Sequence, residues 1–513
     1  MKGIAAAMMG VDALPVTVEA TMSPSFDGGG TYIIGLPDSS VKESLFRCDA
    51  AIRNSGLEPI RQRLVINLSP GDVRKEGSSY DLGIALVMLR ASYQLGDAEK
   101  LDTFLVMGEL GLDGKILPVK GVLPAAILAR KLKLKGMLVP IENAKEAAIV
   151  KDLEVYGVHQ LADAVAWIRD EKELKRVIVD PRADFEIASE EFDVDFADVK
   201  GQESVKRAFE IAAAGGHNLV MIGSPGSGKT MLAKRMPSIL PPMTLHEALE
   251  TTKIHSVAGK LSKDAGLVAR RPFRNPHHTI SDIALIGGGV FPHPGEVSLA
   301  QNGVLFLDEL PEFNRSVLET MRQPLEDHKV VLNRAKYQAE FPAQFMLLAS
   351  MNPCMCGYYQ HPTKPCTCSP GNITKYMGKV SGPLMDRIDL HVEVAPVDYD
   401  VLGTVRKGET SAQIRERVVK AREFQQARYE KDGVQGVFCN AQLDSGLLQR
   451  YCVLPPTAAL LLKAAMQKLG LSARAYDRIL RVARTIADLA GSEDIAMEHV
   501  AEAIHYRSLD KQV

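Results

Sequence analysis

The chain has 513 residues, 46% of them hydrophobic, and its 61 Lys and Arg against 63 Asp and Glu leave a formal net charge of −2. That length supports about three domains of ordinary size. The charge balance excludes a globally basic field for nucleic acid, so any such contact must come from local loops or from repeated subunits. An apolar run at 4–11 is closed by Asp12 and reads as a first strand, with no spanning segment after it. A cytoplasmic protein is expected, in which the seven cysteines are thiols or metal ligands and not disulfides.

Residues 1–172 have an α/β texture. Strand-like runs at 16–20, 31–34, 64–68, 104–107 and 136–139 alternate with helical stretches at 41–55, 79–92 and 123–132. Residues 173–198 then read as an acidic linker, because Asp184, Glu186, Glu190, Glu191, Asp193 and Asp195 face Arg182 alone among nearby cations.

The segment 199–400 carries the chemistry. The apolar run 217–222 leads into Gly223-Ser224-Pro225-Gly226-Ser227-Gly228-Lys229-Thr230, a complete GxxxxGK[ST] motif, and an amphipathic stretch opens at Met231. Backbone amides of such a turn converge on phosphates at a helix N-terminus, Lys229 adds a mobile charge, and the Thr230 hydroxyl ligates Mg²⁺. ATP is therefore the expected ligand of residues 223–231. Downstream, Val304-Leu305-Phe306-Leu307-Asp308-Glu309 has the Walker B pattern: Asp308 completes the Mg²⁺ shell and Glu309 polarises the attacking water. A third apolar strand, 345–351, ends at Asn352, which on an adjacent strand orients the water or reads the γ-phosphate. Read alone, a strand-terminal Asn is a turn residue, so this role depends on the first two motifs.

Cys354, Cys356, Cys366 and Cys368 form two CxC pairs in one short loop. Four thiolates this close can close a tetrahedral shell, and structural Zn²⁺ is the expected occupant, with an Fe–S cluster or uncoordinated thiols as alternatives. Arg387 stands in a loop before another strand, 390–394, from which a guanidinium can reach a neighbouring subunit's γ-phosphate; without context it reads as half of an intrachain ion pair. His277-His278 invites a metal reading, but adjacent side chains on extended chain point apart and no third ligand is near, so structural histidines are expected. The tail, 401–513, reads as helices, with amphipathic blocks at 458–469 and 473–490.

The order of these parts resembles the AAA+ ATPases of the branch holding magnesium-chelatase motors and MCM helicases. Arg271-Pro272-Phe273-Arg274-Asn275-Pro276-His277-His278-Thr279, Pro294-Gly295-Glu296-Val297-Ser298-Leu299-Ala300 and the Arg-rich segment 472–484 narrow the resemblance to the ComM/YifB family of magnesium-chelatase-like proteins. The resemblance implies an αβα P-loop core with a helix-2 insert at about 254–289, a pre-sensor-1 hairpin at 329–341 and an all-helical C-terminal lid. It implies a sensor-2 arginine at Arg474 or Arg478, between which spacing does not choose. It also implies a hexameric ring that hydrolyses ATP and acts on branched or single-stranded DNA, a helicase for branch migration in recombination and natural transformation. Arg334 and Lys336 at the hairpin tip would then line the pore as DNA contacts. A magnesium-chelatase-type motor for metal insertion is the alternative.

Residues 1–172 resemble the Lon-protease fold through Ile34-Gly35-Leu36-Pro37-Asp38, Asn67-Leu68-Ser69-Pro70-Gly71-Asp72 and Gly108-Glu109-Leu110-Gly111. The family's Ser–Lys dyad is absent: Asp81 falls at the serine position and Leu123 at the lysine position, and neither can run that mechanism.

Overall fold

The computed structural model describes residues 1–22, 31–180, 185, 192–261, 266–289, 292–334, 337–396 and 408–507. Part of the acidic stretch, including Arg182, Asp184, Glu186, Glu190 and Glu191, lies outside the described residues, as does Lys336.

The N-terminal sheet comprises β1 (Lys2–Met9), β2 (Asp12–Met22), β3 (Tyr32–Ile34), β4 (Leu64–Ser69), β5 (Phe104–Val106), β6 (Gly136–Pro140) and β7 (Glu154–Val158), in the order β3-β4-β2-β1-β5-β6-β7. Helices α1 (Ser39–Asn54), α2 (Asp81–Ala91), α3 (Val122–Lys131), α4 (Ile141–Ala148) and α5 (Leu161–Ile168) cover it. Alternation along the strands divides the burial between two faces. Phe104, Val106 and Leu138 join a core with α1, α2 and α5, whereas Leu105, Met137 and Val139 join one with α3 and α4. Strand 154–158 and helices 141–148 and 161–168 are elements that sequence periodicity did not single out.

Asp81 and Leu123 are both fully buried. The Asp81 carboxylate accepts from Arg47 Nε at 2.6 Å, from the Ser44 hydroxyl at 2.5 Å and from the Leu110 amide at 3.2 Å. Burial pushes the Asp81 pKa up, against the opposing pull of Arg47 and Ser44.

The second sheet is parallel. It is built from β8 (Leu219–Gly223), β9 (Phe273–Arg274), β10 (Val304–Leu307), then, beyond the separate hairpin β11 (Lys329–Arg334) and β12 (Tyr337–Pro342), from β13 (Met346–Met351) and β14 (Leu390–Val394). Its order is β9-β10-β13-β8-β14. Strand β8 is buried at every position, Leu219 and Met221 toward one core and Val220 and Ile222 toward the other, as a central parallel strand requires. Helices α6 (Glu203–Gly215), α7 (Lys229–Ile239) and α8 (Leu245–Ala258) belong to this layer, and a Thr244/Glu247 capping box starts α8. The tail forms α9 (Ser411–Lys431), α10 (Pro456–Leu469), α11 (Ala473–Leu489) and α12 (Met497–His505). Their buried residues Ile414, Val418, Leu462, Ile479 and Val482 share one core with Phe209, Leu219 and Leu348. The architecture is therefore α/β multidomain with C-terminal helices, as expected.

The two sheets are joined through α8. Gly121 N donates to Ser256 O at 3.1 Å, the Ser256 hydroxyl donates to Glu146 at 2.5 Å, and Lys253 pairs with Asp12 at 2.6 Å. Glu146 is buried and also accepts from Leu123 N at 2.8 Å and Asn143 Nδ2 at 3.2 Å. Deleting that carboxylate strands two or three buried donors, which costs about 1–3 kcal/mol. Glu146→Ala should therefore lower the first thermal unfolding transition seen by circular dichroism, and Glu146→Gln, which restores an acceptor, should recover part of the loss.

Candidate nucleotide site

The phosphate loop lies at the C-terminal edge of the parallel sheet, where strand β8 ends and α7 begins at Lys229. Gly226 and Gly228 have φ of +80° and +89°, a left-handed turn that only glycine adopts freely and that aims successive amides into one concavity. Lys229 Nζ donates to Gly223 O at 2.7 Å, Ser224 O at 2.9 Å and Asn352 Oδ1 at 3.2 Å. Burial lowers the lysine pKa, and Asp308 and Glu309 pull it back up. Met231, at the start of α7, leaves 40% of its surface exposed beside the loop.

Register in the sheet brings the second motif to the first. Strands β10 and β13 pair in parallel with Leu307 opposite Ala349, so the next residues, Asp308 and Ser350, share one level. Asp308 Oδ2 accepts from the Thr230 hydroxyl at 2.8 Å, and Oδ1 accepts from the Ser350 hydroxyl. Thr230 and Asp308, the two expected Mg²⁺ ligands, are thus in direct contact, and this donor set of hydroxyl and carboxylate oxygens suits a hard divalent cation. Ser350 was not singled out from the sequence; its signal is a hydroxyl in an otherwise apolar strand, opposite the Walker B aspartate.

Glu309 diverges from Asp308 for a reason other than strand alternation. The strand stops at Leu307, and Glu309 has a left-handed φ of +55°, so strand alternation no longer sets its direction. That side chain is 58% exposed and lies 4.0 Å from His278 Nδ1.

The cysteine loop follows Asn352. Sulfur separations are 3.3 Å for Cys354–Cys356, 3.7 Å for Cys354–Cys366 and 3.6 Å for Cys356–Cys366, and all four Sγ atoms, Cys368 included, lie within 4.8 Å of one another. A tetrahedral Zn–S₄ shell with bonds of about 2.3 Å needs sulfurs about 3.8 Å apart, so the cluster fits. The loop also packs on the phosphate site: a Cβ at Gly357 would come within 2.4 Å of Pro225 Cδ.

Arg387 is 4% exposed in its own chain, where it donates to Pro383 O at 2.5 Å and pairs at 2.5 Å with Glu326, whose side chain is 46% exposed. Arg387 follows the short helix Gly382–Met385. Arg478 pairs with the fully buried Asp389 at 2.9 Å. Although burial works to raise it, the Asp389 pKa is held far below the usual carboxylate range by Arg478, His217 and the Asn218 amide. Arg474 is exposed, and together with the stronger pull of Arg387 it lowers the Glu326 pKa. These three arginines therefore gather where β14 begins, while the phosphate loop sits where β8 ends. Leu390 is opposite Leu219 and Val394 opposite Gly223, so about 13 Å of extended chain separates the two edges.

The hairpin pairs Asn333 with Gln338 and Arg334 with Tyr337; Lys336 and the side chain of Arg334 are outside what is described.

Family models described as magnesium chelatase subunit ChlI match residues 195–402, its C-terminal part residues 408–507, and a further ChlI model residues 18–143. Competence protein ComM of Haemophilus influenzae is 43% identical over 508 residues, covering 98% of this chain and 96% of the relative. The chain belongs to the ComM/YifB family of magnesium-chelatase-like AAA+ proteins. YifB of Escherichia coli, an uncharacterized protein, is 42% identical over 506 residues, 98% of this chain and 96% of its own length. Lon protease 2 of Bacillus subtilis is 30% identical over 159 residues, 28% of this chain and 27% of that protein. No helix among the described residues is long and apolar enough to cross a membrane.

Within this ComM/YifB site, the Ser350 hydroxyl fixes one oxygen of Asp308 while Thr230 meets the other. Ser350→Ala should raise the Mg²⁺ concentration that half-saturates nucleotide binding by about 10-fold, measured by titration with a fluorescent ATP analogue.

Proposed function

We propose that the chain is the subunit of a hexameric ring that hydrolyses ATP between neighbouring copies and acts on branched or single-stranded DNA, promoting branch migration in recombination and natural transformation. The observation that carries this reading is the division of the machinery between opposite edges of one sheet. Gly223 to Thr230, Asp308, Glu309 and Asn352 lie on one edge, and exposed Arg474 with Arg478 on the other. In this reading a nucleotide on one copy meets those arginines from the next copy.

In this reading the amides of 223–230 and Lys229 hold the phosphates of ATP, with Met231 beside them. Thr230 and Asp308 hold Mg²⁺, which when bound neutralises charge developing on the transferred phosphoryl group. Glu309 accepts the proton of the attacking water on a carboxylate oxygen, and Asn352, already accepting from Lys229, orients that water. Arg474 of the neighbouring copy stabilises the transition state, and Arg478 holds α11 to Asp389 so that Arg474 is presented. Zn²⁺ held by Cys354, Cys356, Cys366 and Cys368 shapes the loop that rests on Pro225. The role in competence is supported by the printed name of the Haemophilus relative, and a cytoplasmic location belongs to the same reading.

The ChlI family models favour a second reading, a motor that drives metal insertion into a tetrapyrrole. The two readings share an engine and differ in what stimulates it.

Lys229→Ala and Arg474→Ala should each lower ATP turnover by at least about 100-fold when assayed alone. Mixed one to one, they should regain turnover at about a quarter of the wild-type rate, since a quarter of the interfaces then join an intact loop to an intact arginine. A mixture as inactive as its components removes the shared-site reading. DNA should stimulate wild-type turnover and a Holliday junction should be migrated. Arg334→Ala with Lys336→Ala should abolish that stimulation and migration while leaving DNA-free turnover within about twofold. Turnover indifferent to DNA moves the balance to the metal-insertion motor.

A further inference from the structure

The segment after β9 reaches the Walker B turn by register. Phe273 is opposite Val304 and Arg274 opposite Leu305 in parallel, and the same pairing continued past both strand ends sets His278 level with Glu309. The segment is anchored on the way. Arg271 donates to Pro241 O and Asn302 O, each at 2.7 Å, and Arg274 makes a bidentate pair with Glu296 at 2.6 and 2.7 Å.

His278 itself is held by its neighbours. Its ring lies 4.1 Å from that of His277 and meets Phe313 edge-on at 6.4 Å, while His277 Nδ1 is tied to the Thr279 hydroxyl at 2.9 Å. The imidazole also lines a cleft of about 660 Å³ with Phe313, Arg315 and Lys379, so it stands between that cleft and the carboxylate. Glu309 has the opposite character. Its side chain is mostly exposed, and among the described residues its carboxylate accepts no hydrogen bond; its one ion-pairing neighbour is His278, at 4.0 Å.

A group that takes a proton from water must be fixed within a few tenths of an ångström, and an exposed carboxylate on rotatable bonds is not. We propose that His278 is a positioning residue for Glu309: its Nδ1–H holds one carboxylate oxygen and leaves the other toward the attacking water. The inference rests on the reading of Glu309 as the group that activates water. The gap to a hydrogen bond is about 1 Å, within what catalytic contacts close when substrate binds. The structural alternative is that the ring merely packs against Phe313.

The test uses full-length His278→Ala, His278→Asn, whose amide nitrogen replaces Nδ1, Glu309→Gln, and the double variant His278→Ala/Glu309→Gln. Turnover is followed against ATP concentration, and binding with a fluorescent ATP analogue. Expected are a kcat lowered about 10- to 100-fold in His278→Ala with KM and analogue binding within about twofold, and recovery of most of that loss in His278→Asn. In the Glu309→Gln background the alanine should add less than about twofold, because the group it positions is gone. A wild-type rate in His278→Ala, a loss of analogue binding, or a full further loss in the double variant overturns the positioning role. Absence of turnover in the wild type, with DNA present, overturns the hydrolysis reading on which it rests and is distinguished by that control.

Discussion

The contact between the Thr230 hydroxyl and Asp308 ties together two stretches of chain nearly eighty residues apart, and the rest of the site is arranged around it. Thr230 is fixed by the first turn of α7, whose start is set by the left-handed glycine at 228; Asp308 is fixed by where β10 stops. Ser350 occupies the other oxygen of Asp308, so the carboxylate presents one free face in one orientation. Register between β10 and β13 makes this possible without any loop having to be precise. The contact between Thr230 and Asp308 is thus a property of the buried sheet, whereas Glu309 and Arg474 are carried on a turn and at a helix start outside it.

The sheet also sets how far the arginines lie from the phosphate loop. Its two edges are separated by the length of a strand, and arginines at the starting edge of β14 are committed to Glu326 and Asp389. Asp389 is buried with three partners and has the character of a framework charge: breaking it would leave Arg478 and the Asn218 amide unpaired at the root of the strand. Arg387, equally buried, belongs to the same framework. Separating a buried guanidinium from its carboxylate carries a desolvation penalty that an exposed one avoids, and Arg474 is the exposed member of the trio.

What the sequence made legible was whatever is local in the chain. The glycine-lysine-threonine loop, the apolar strand ending in Asp308-Glu309 and the two CxC pairs carry their chemistry within a few residues, and the structure brings their members together as spacing implied. The N-terminal strands at 16–20, 64–68 and 136–139 were legible for the same reason, being short apolar runs between breakers. Long-range register was not legible. Nothing in the spacing of His278 and Glu309 announces that β9 and β10 are neighbours in parallel, and Ser350 looks like any strand hydroxyl until Asp308 is placed opposite. Arg387 illustrates the same limit: a motif gives the residue type but not the rotamer, and its partner in this chain, Glu326, stands about sixty positions upstream.

In the N-terminal region Asp81 and Leu123 are both core residues. The carboxylate of Asp81 is saturated by Arg47, Ser44 and the Leu110 amide, and Leu123 packs in the core beneath α3, so both positions now serve stability. The surface that the region retains is directed at α8 through Glu146, Gly121 and Asp12. Helix α8 leads in turn to the segment of Arg271 and Arg274, which is pinned to Glu247 of the same helix and to Glu296. A shift of the N-terminal sheet relative to α8 would therefore be felt by β9 and by the histidine that follows it. Coupling along such a chain of contacts exists only where two arrangements of comparable energy are available. The half-exposed Glu309, lying just short of hydrogen-bonding distance from His278, is the element of the site with that freedom.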